Sequence, residues 1–225
     1  MATPHEYSPY FRTMSNFKCV LFDCDGVLVD TETTSFRVFG EVLSDLGYEA
    51  PIAKMAVDFS GTSFGACMRH VEKLFDMKLP ENFEAIFREK SFEAFKKEVT
   101  PIPHIHELLE DFPLPFCTAS SAQKAKIILN LTTAKLIHHF EGKIYSAYEI
   151  QQWKPEPGVF LWAAKEMGFT PDECLVVEDS FSGLTAAKAG GFKAIGYAPK
   201  EHNVKLLTPM NVPLISDIRE VKNYL

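Results

Sequence analysis

The sequence has no apolar run near the roughly 20 residues that a helix needs to cross a bilayer. It has no basic excess either. Its 23 Lys and Arg face 30 Asp and Glu, a net charge of −7. A general nucleic-acid binder is usually basic, so that class drops out. Cysteine is scarce: five residues, an odd number without paired spacing, which argues against a disulfide scaffold. Cys19, Cys117 and Cys174 each sit in an apolar, strand-like run and read as small buried hydrophobes. Internal repeats and low-complexity tracts are missing, and with 24% charged and 46% hydrophobic residues disorder is excluded as the main state. Residues 1–16 hold Pro4 and Pro9 and lack the apolar centre of a secretory signal. They read as a loose extension on a reduced, cytoplasmic protein.

The 225 residues are ample for a real core. Four short runs read as buried strands: Phe17–Phe22, Pro115–Ala119, Cys174–Val177 and Lys193–Tyr197. Each is nearly all apolar, as parallel strands covered on both faces require. Helical patterns lie between them at 121–131 (with a Ser cap), 157–167 (from Pro157 to Gly168) and 181–189 (ending at Gly190-Gly191). Strand–helix alternation predicts an α/β fold with a doubly wound parallel sheet. Residues 32–100 differ. They read as helices at 33–46, 66–76 and 82–98, the last with Phe83, Ile86, Phe87, Phe92 and Phe95 along one face. Thr100-Pro101-Ile102-Pro103 then stops the pattern. We therefore expect an extension at 1–16, an α/β core at 17–31 and 101–225, and a helical cap inserted at 32–100.

Chemistry gathers at strand ends, where parallel sheets bind their ligands. The first strand runs into Asp23-Cys24-Asp25-Gly26. In extended chain both carboxylates point to one side. Two carboxylates this close repel, which calls for a cation. An EF-hand loop is excluded, because the glycine comes too early and no glutamate closes twelve residues. A second acidic pair, Glu178-Asp179, ends another strand ahead of Ser180 and Gly183. Hard oxygen ligands on one rim select Mg²⁺. Ser120 ends the second strand beside helix-start N–H groups, an anion site in outline. Lys154, between Trp153 and a turn fixed by Pro155 and Pro157, is a candidate point charge for phosphate. Each piece alone has an ordinary reading: an Asp-Gly turn, a helix cap, a surface lysine.

Taken in order, the pieces resemble the haloacid dehalogenase superfamily of hydrolases, in the branch with a helical cap after the first strand. The motifs are Asp-x-Asp-Gly at 23–26, Ser120, Lys-Pro-x-Pro from Lys154, and Glu178-Asp179-Ser180, and the resemblance spans about 17–200. The nearest likeness is to sugar-phosphate and 6-phosphogluconate phosphatases and β-phosphoglucomutase. The resemblance implies that Asp23 is a nucleophile forming an aspartyl-phosphate and that Asp25 is the acid and base. It implies Mg²⁺ held by the Asp23 carboxylate, the Asp25 carbonyl and Asp179, with Glu178 binding directly or through water. Ser120 and Lys154 would bind the phosphoryl oxygens. Asp25 argues for phosphate esters, whose alkoxide leaving group needs a proton.

The mutases of this branch carry a His about twelve residues after the nucleophile and basic residues in the first cap loop. Ser35 and Ser60-Gly61-Thr62-Ser63-Phe64 stand there instead, so phosphatase is the better reading and a mutase the alternative. The loop Gly61, Thr62 and Ser63 reads as a cap loop facing substrate. It also fits, with Gly65, the Gly-x-Ser-x-Gly elbow of serine esterases, with Asp179 and His202 following in chain order. That rival lacks a buried strand before the serine. The expected partner is a small phosphorylated metabolite, with no nucleic acid or membrane; the sequence leaves the oligomeric state unknown, a monomer being favoured.

Overall fold

Cys19–Phe22 forms the central strand β1, and all four side chains are fully buried. The structure, a computed structural model, describes residues 17–52, 54–55 and 64–225. After β1 the chain turns and makes a two-residue strand, β2 (Val29–Asp30). The helices α1 (Glu32–Asp45), α2 (Phe64–Leu74) and α3 (Phe83–Glu98) follow. Strand β3 (Thr100–Pro101) then pairs antiparallel with β2, so the helical stretch leaves and returns through one ribbon. The rest alternates: α4 (Ile105–Glu110), β4 (Phe116–Ser120), α5 (Lys124–Thr133), β5 (Ile144–Ser146), α6 (Ala147–Ile150), α7 (Gly158–Glu166), β6 (Cys174–Glu178), α8 (Phe181–Ala189), β7 (Lys193–Tyr197), α9 (Glu201–Leu207) and β8 (Leu214–Ile215).

Six strands form one parallel sheet in the order β5-β4-β1-β6-β7-β8. Period-two alternation sends Val20, Phe22, Leu175 and Val177 into one core layer and Cys19, Leu21, Cys174 and Val176 into the other. Helices cover both layers, which is why the strands read as continuous apolar runs. Cys19, Cys117 and Cys174 are buried, as expected, and so are Cys24 and Cys67; all five are free. A third apolar cluster, including Val38, Phe39, Leu43, Met55, Val71 and Phe83, lies wholly within the helical stretch. No helix among the described residues is long and apolar enough to cross a membrane.

The structure corrects several expected boundaries. Strands β5 and β8 have three and two residues, too short to show as runs. Helix α5 begins at Lys124 rather than Ser121, because Ser120 and Ser121 hold other groups instead of capping it. On α3 the buried side chains are Phe83, Ser91 and Phe95, whereas Ile86 and Phe92 are exposed. The inward face steps by four (83, 87, 91, 95) and thus accepts a serine while leaving two large apolar residues outside. The loop Gly61, Thr62 and Ser63 lies outside the described residues, as do residues 1–16.

Phe140 is fully buried and meets Phe116 edge to face at 5.4 Å. Removing a ring of this kind costs about 3–5 kcal/mol. We expect Phe140→Ala to lower Tm by on the order of 10 °C in a thermal melt without changing turnover by the folded fraction.

Candidate active site

The strand register gathers the site. Phe22 of β1 lies opposite Val177 of β6 and Thr118 of β4. The Asp23 N–H donates to the Val177 carbonyl at 3.0 Å, fixing Asp23 at the same rim as Glu178. Ser120 ends β4 on that rim and is buried. A cavity of about 450 Å³ opens there. Asp23, Asp25, Ser120, Lys154, Glu178 and Asp179 all line it, with Phe36, Phe39 and Phe87 from the helical stretch opposite. Every described candidate from the sequence reading therefore shares one cavity. Phe83, by contrast, packs on Phe39 as core. Phe87 does both: it meets Phe39 edge to face and lines the cavity.

Lys154 is the hub. Its side chain is 4% exposed, and Nζ donates to Asp23 Oδ1 at 2.6 Å and to Glu178 Oε1 at 2.7 Å. The ammonium lies 4.6 Å from the centre of the Phe160 ring. Its N–H donates to Ser121 Oγ at 3.4 Å, which ties its loop to the end of β4. Burial alone would discharge this lysine, but Asp23 and Glu178 hold its pKa above the ordinary value. Lys154 is thus a structural part of the rim and not a surface lysine.

Glu178 is almost fully buried and has both oxygens committed. Oε1 takes Lys154; Oε2 accepts from the Ser180 N–H at 2.7 Å and its hydroxyl at 2.8 Å. Ser180 Oγ in turn accepts from the Gly183 N–H at 3.0 Å, capping α8. A Cβ on Gly183 would lie 1.8 Å from Glu178 Oε1, so only glycine lets the helix approach so closely. Gly26 has φ +89°, and a Cβ there would lie 2.0 Å from Asp179 Oδ2. The first turn and the second acidic pair therefore fit together at a position open to glycine alone.

Asp25 lines the same cavity as Asp23. The chain turns after Asp23, and the Leu28 and Val29 N–H groups donate back to the Cys24 carbonyl. The Asp25 carboxylate has partners of its own. It takes Lys126 Nζ on Oδ2 at 2.7 Å and Asn130 Nδ2 on Oδ1 at 3.0 Å, both from α5. The cation that two adjacent aspartates seemed to need is, for Asp25, a lysine. Neither Lys126 nor Asn130 stood out in the sequence. Their only signal is i,i+4 spacing on the helix after the Ser120 strand end, and any amphipathic helix offers many such pairs.

The unbalanced charge sits elsewhere. One carboxylate oxygen from each of Asp23, Glu178 and Asp179 lies within 4.8 Å of the others. Burial pushes the Asp23 carboxyl up to about 7, against the pull of Lys154 and with Glu178 repelling it. Burial, then Glu178 and Asp23, push Asp179 well above its ordinary value. Two buried carboxylates and the half-buried Asp179 against one ammonium suit a further cation, and oxygen-only donors suit a hard divalent one.

This geometry agrees with the comparisons to known proteins. The profile of the haloacid dehalogenase-like hydrolases matches residues 20–197. The chain belongs to that family. The 6-phosphogluconate phosphatase of Escherichia coli K12 is 27% identical over 197 residues, 87% of this chain and 89% of that protein. A fructose-1-phosphate phosphatase of the same organism is 29% identical over 184 residues, 78% of this chain and 94% of that one. Among solved structures, a haloacid dehalogenase-like protein from Agrobacterium tumefaciens superposes with TM-score 0.84 at 28% identity, covering 92% of this chain and 96% of that one. A family hydrolase from Deinococcus radiodurans R1, solved with bound phosphate and sodium, gives 0.80 at 26%, covering 92% and 94%. As a haloacid dehalogenase-like hydrolase this chain is an enzyme. Asp179, the acid that a serine-esterase reading borrowed, belongs to the carboxylate cluster of the hydrolase site.

Gly183→Ala tests the rim directly. The new methyl must displace Glu178 from Lys154, while α8 itself gains a better helix former. Turnover of the folded fraction should fall about 100-fold, and Tm should fall as well, because breaking the buried Lys154–Glu178 pair costs more than the roughly 1 kcal/mol the helix gains; phosphate release and a thermal melt on the same sample measure both.

Proposed function

We propose that this hydrolase is a Mg²⁺-dependent phosphatase of small phosphorylated metabolites, sugar phosphates foremost, working through an aspartyl-phosphate on Asp23. The observation that carries the reading is the meeting of Asp23, Lys154 and the Glu178–Asp179 pair in one buried rim, with Asp25 on the same cavity. The curated relatives named for phosphorylated sugars and sugar acids support it.

The steps follow from the residues. Lys154 fixes the Asp23 carboxylate and presents positive charge to an incoming phosphoryl group. An Asp23 oxygen attacks phosphorus, and the bond from phosphorus to the ester oxygen breaks. Asp25 gives its proton to that oxygen, so the leaving group departs as an alcohol. Asp25, now a carboxylate, takes a proton from water as the water attacks the phosphoryl group on Asp23. Phosphate leaves, Asp23 is restored, and Asp25 is again protonated. Ser120, with its hydroxyl at the end of β4, donates to a phosphoryl oxygen. Asp23, Asp179 and the Asp25 carbonyl would hold Mg²⁺, which supplies charge neutralisation to the phosphoryl oxygens when bound. Glu178, already bonded at both oxygens, serves chiefly by fixing Lys154.

The helices of residues 32–100 act as the cap in this reading. Their apolar wall of Phe36, Phe39 and Phe87 closes the cavity over the leaving group and keeps out bulk water. The mutase alternative gains nothing from Ser35, whose hydroxyl donates to the Thr31 carbonyl at 2.7 Å within α1.

The deciding assay is phosphate release from a panel of sugar phosphates, 6-phosphogluconate and nucleotides, with Mg²⁺ or EDTA. Release should require Mg²⁺ and vanish in Asp23→Asn. Acid quench of a single turnover should leave the phosphoryl group on Asp23, read by peptide mass spectrometry. Release that survives in Asp23→Asn sinks the reading.

A further inference from the structure

The mechanism uses Asp25 but does not explain how its carboxyl is aimed. A carboxyl on a turn has two soft torsions, and proton transfer needs it within about 2.6–3.2 Å of the leaving oxygen. Here both Asp25 oxygens are held from one side. Lys126 and Asn130, one helical turn apart on α5, each take one oxygen. Asn130 is fully buried, and its Oδ1 has no hydrogen-bond partner. An orphaned buried acceptor costs stability. An amide offers a donor and an acceptor, and can therefore hold a carboxyl that gives a proton in one half of the reaction and takes one in the other.

Lys126 has a second contact, from the helical stretch. Its ammonium lies 5.1 Å from the centre of the Phe95 ring on α3. Phe95 is buried, and α3 packs on α5. Lys126 thus touches the helical stretch with one face and Asp25 with the other. A second cavity of about 350 Å³ runs between these helices and is lined by Phe87, Phe95, Lys126 and Tyr148. It shares Phe87 and Lys126 with the main cavity, so Lys126 stands where the two spaces join.

We propose that Lys126 and Asn130 are positioning residues that aim the Asp25 carboxyl at the leaving oxygen, and that Phe95 makes the Lys126 contact depend on how α3 is seated. Proton delivery is then coupled to the helices over the site without any of them touching the reacting atoms. This rests on the acid–base role proposed for Asp25.

The test compares leaving groups. Nitrophenolate departs without a proton; the alcohol of an alkyl phosphate does not. Single-turnover phosphoryl transfer is measured with p-nitrophenyl phosphate and with the best alkyl phosphate of the panel above. Lys126→Met should lower the alkyl rate at saturation about 10- to 100-fold, with KM within about twofold and a much smaller loss on the nitrophenyl ester. Lys126→Arg keeps a donor and a ring contact and should recover most of the rate. Phe95→Leu should lose rate on the alkyl ester in the same selective way, though less. Equal losses on both esters, or a rise in KM alone, would overturn the proposal, as would an unchanged rate in folded Lys126→Met. Asp25→Asn is the control: if it transfers from the alkyl ester at the full rate, the acid–base reading fails instead.

Discussion

Three carboxylates crowd one buried edge of the sheet, and the Lys154 ammonium bridges two of them. Most of the site can be derived from that excess of negative charge. Asp23, Glu178 and the Lys154 side chain are buried, so their charges are weakly screened and each must be answered locally. Lys154 answers Asp23 and Glu178, and the Ser180 donors answer the second Glu178 oxygen. Asp179 and the remainder of Asp23 call for a metal ion or a proton. In the proposed reaction a phosphate ester would bring more negative charge into the same place, where Lys154 and a metal ion would meet it. The overall charge of −7 is no obstacle, since attraction is set by the local field.

Glycine supplies the other constraint. At Gly26 and Gly183 backbone approaches a carboxylate more closely than any side chain permits. The acidic groups are therefore held by main-chain packing as well as by hydrogen bonds. Such fixing is what electrostatic catalysis requires, because dipoles and charges set in advance need no rearrangement during the reaction.

How much the sequence discloses depends on how local the signal is. Asp23, Ser120 and Glu178-Asp179 are legible because each ends an apolar run, and a parallel sheet brings strand ends to one rim. Lys154 is legible only through its order among the other motifs, since its burial against Phe160 is a tertiary fact. Lys126 and Asn130 are not legible, because helix periodicity says that they share a face without saying which face points at Asp25. The partners of Asp25 are hidden for a like reason: alternation holds only while the chain stays extended, and it turns at Cys24. On α3 the exposed Ile86 and Phe92 mislead a reading that assigns every apolar side chain to the interior.

The place of β1 in the sheet has a consequence for how the chain is made. It is the earliest strand of the described chain and lies at the sheet's centre, yet its neighbours begin only at Phe116 and Cys174. During synthesis Cys-Val-Leu-Phe emerges long before either partner exists, with both edges unpaired and wholly apolar side chains. The helices that follow can bury their own apolar cluster in the meantime. The strand that leads into Asp23 must wait, and the interval before β4 and β6 arrive is when this chain is most exposed to aggregation and most dependent on chaperones.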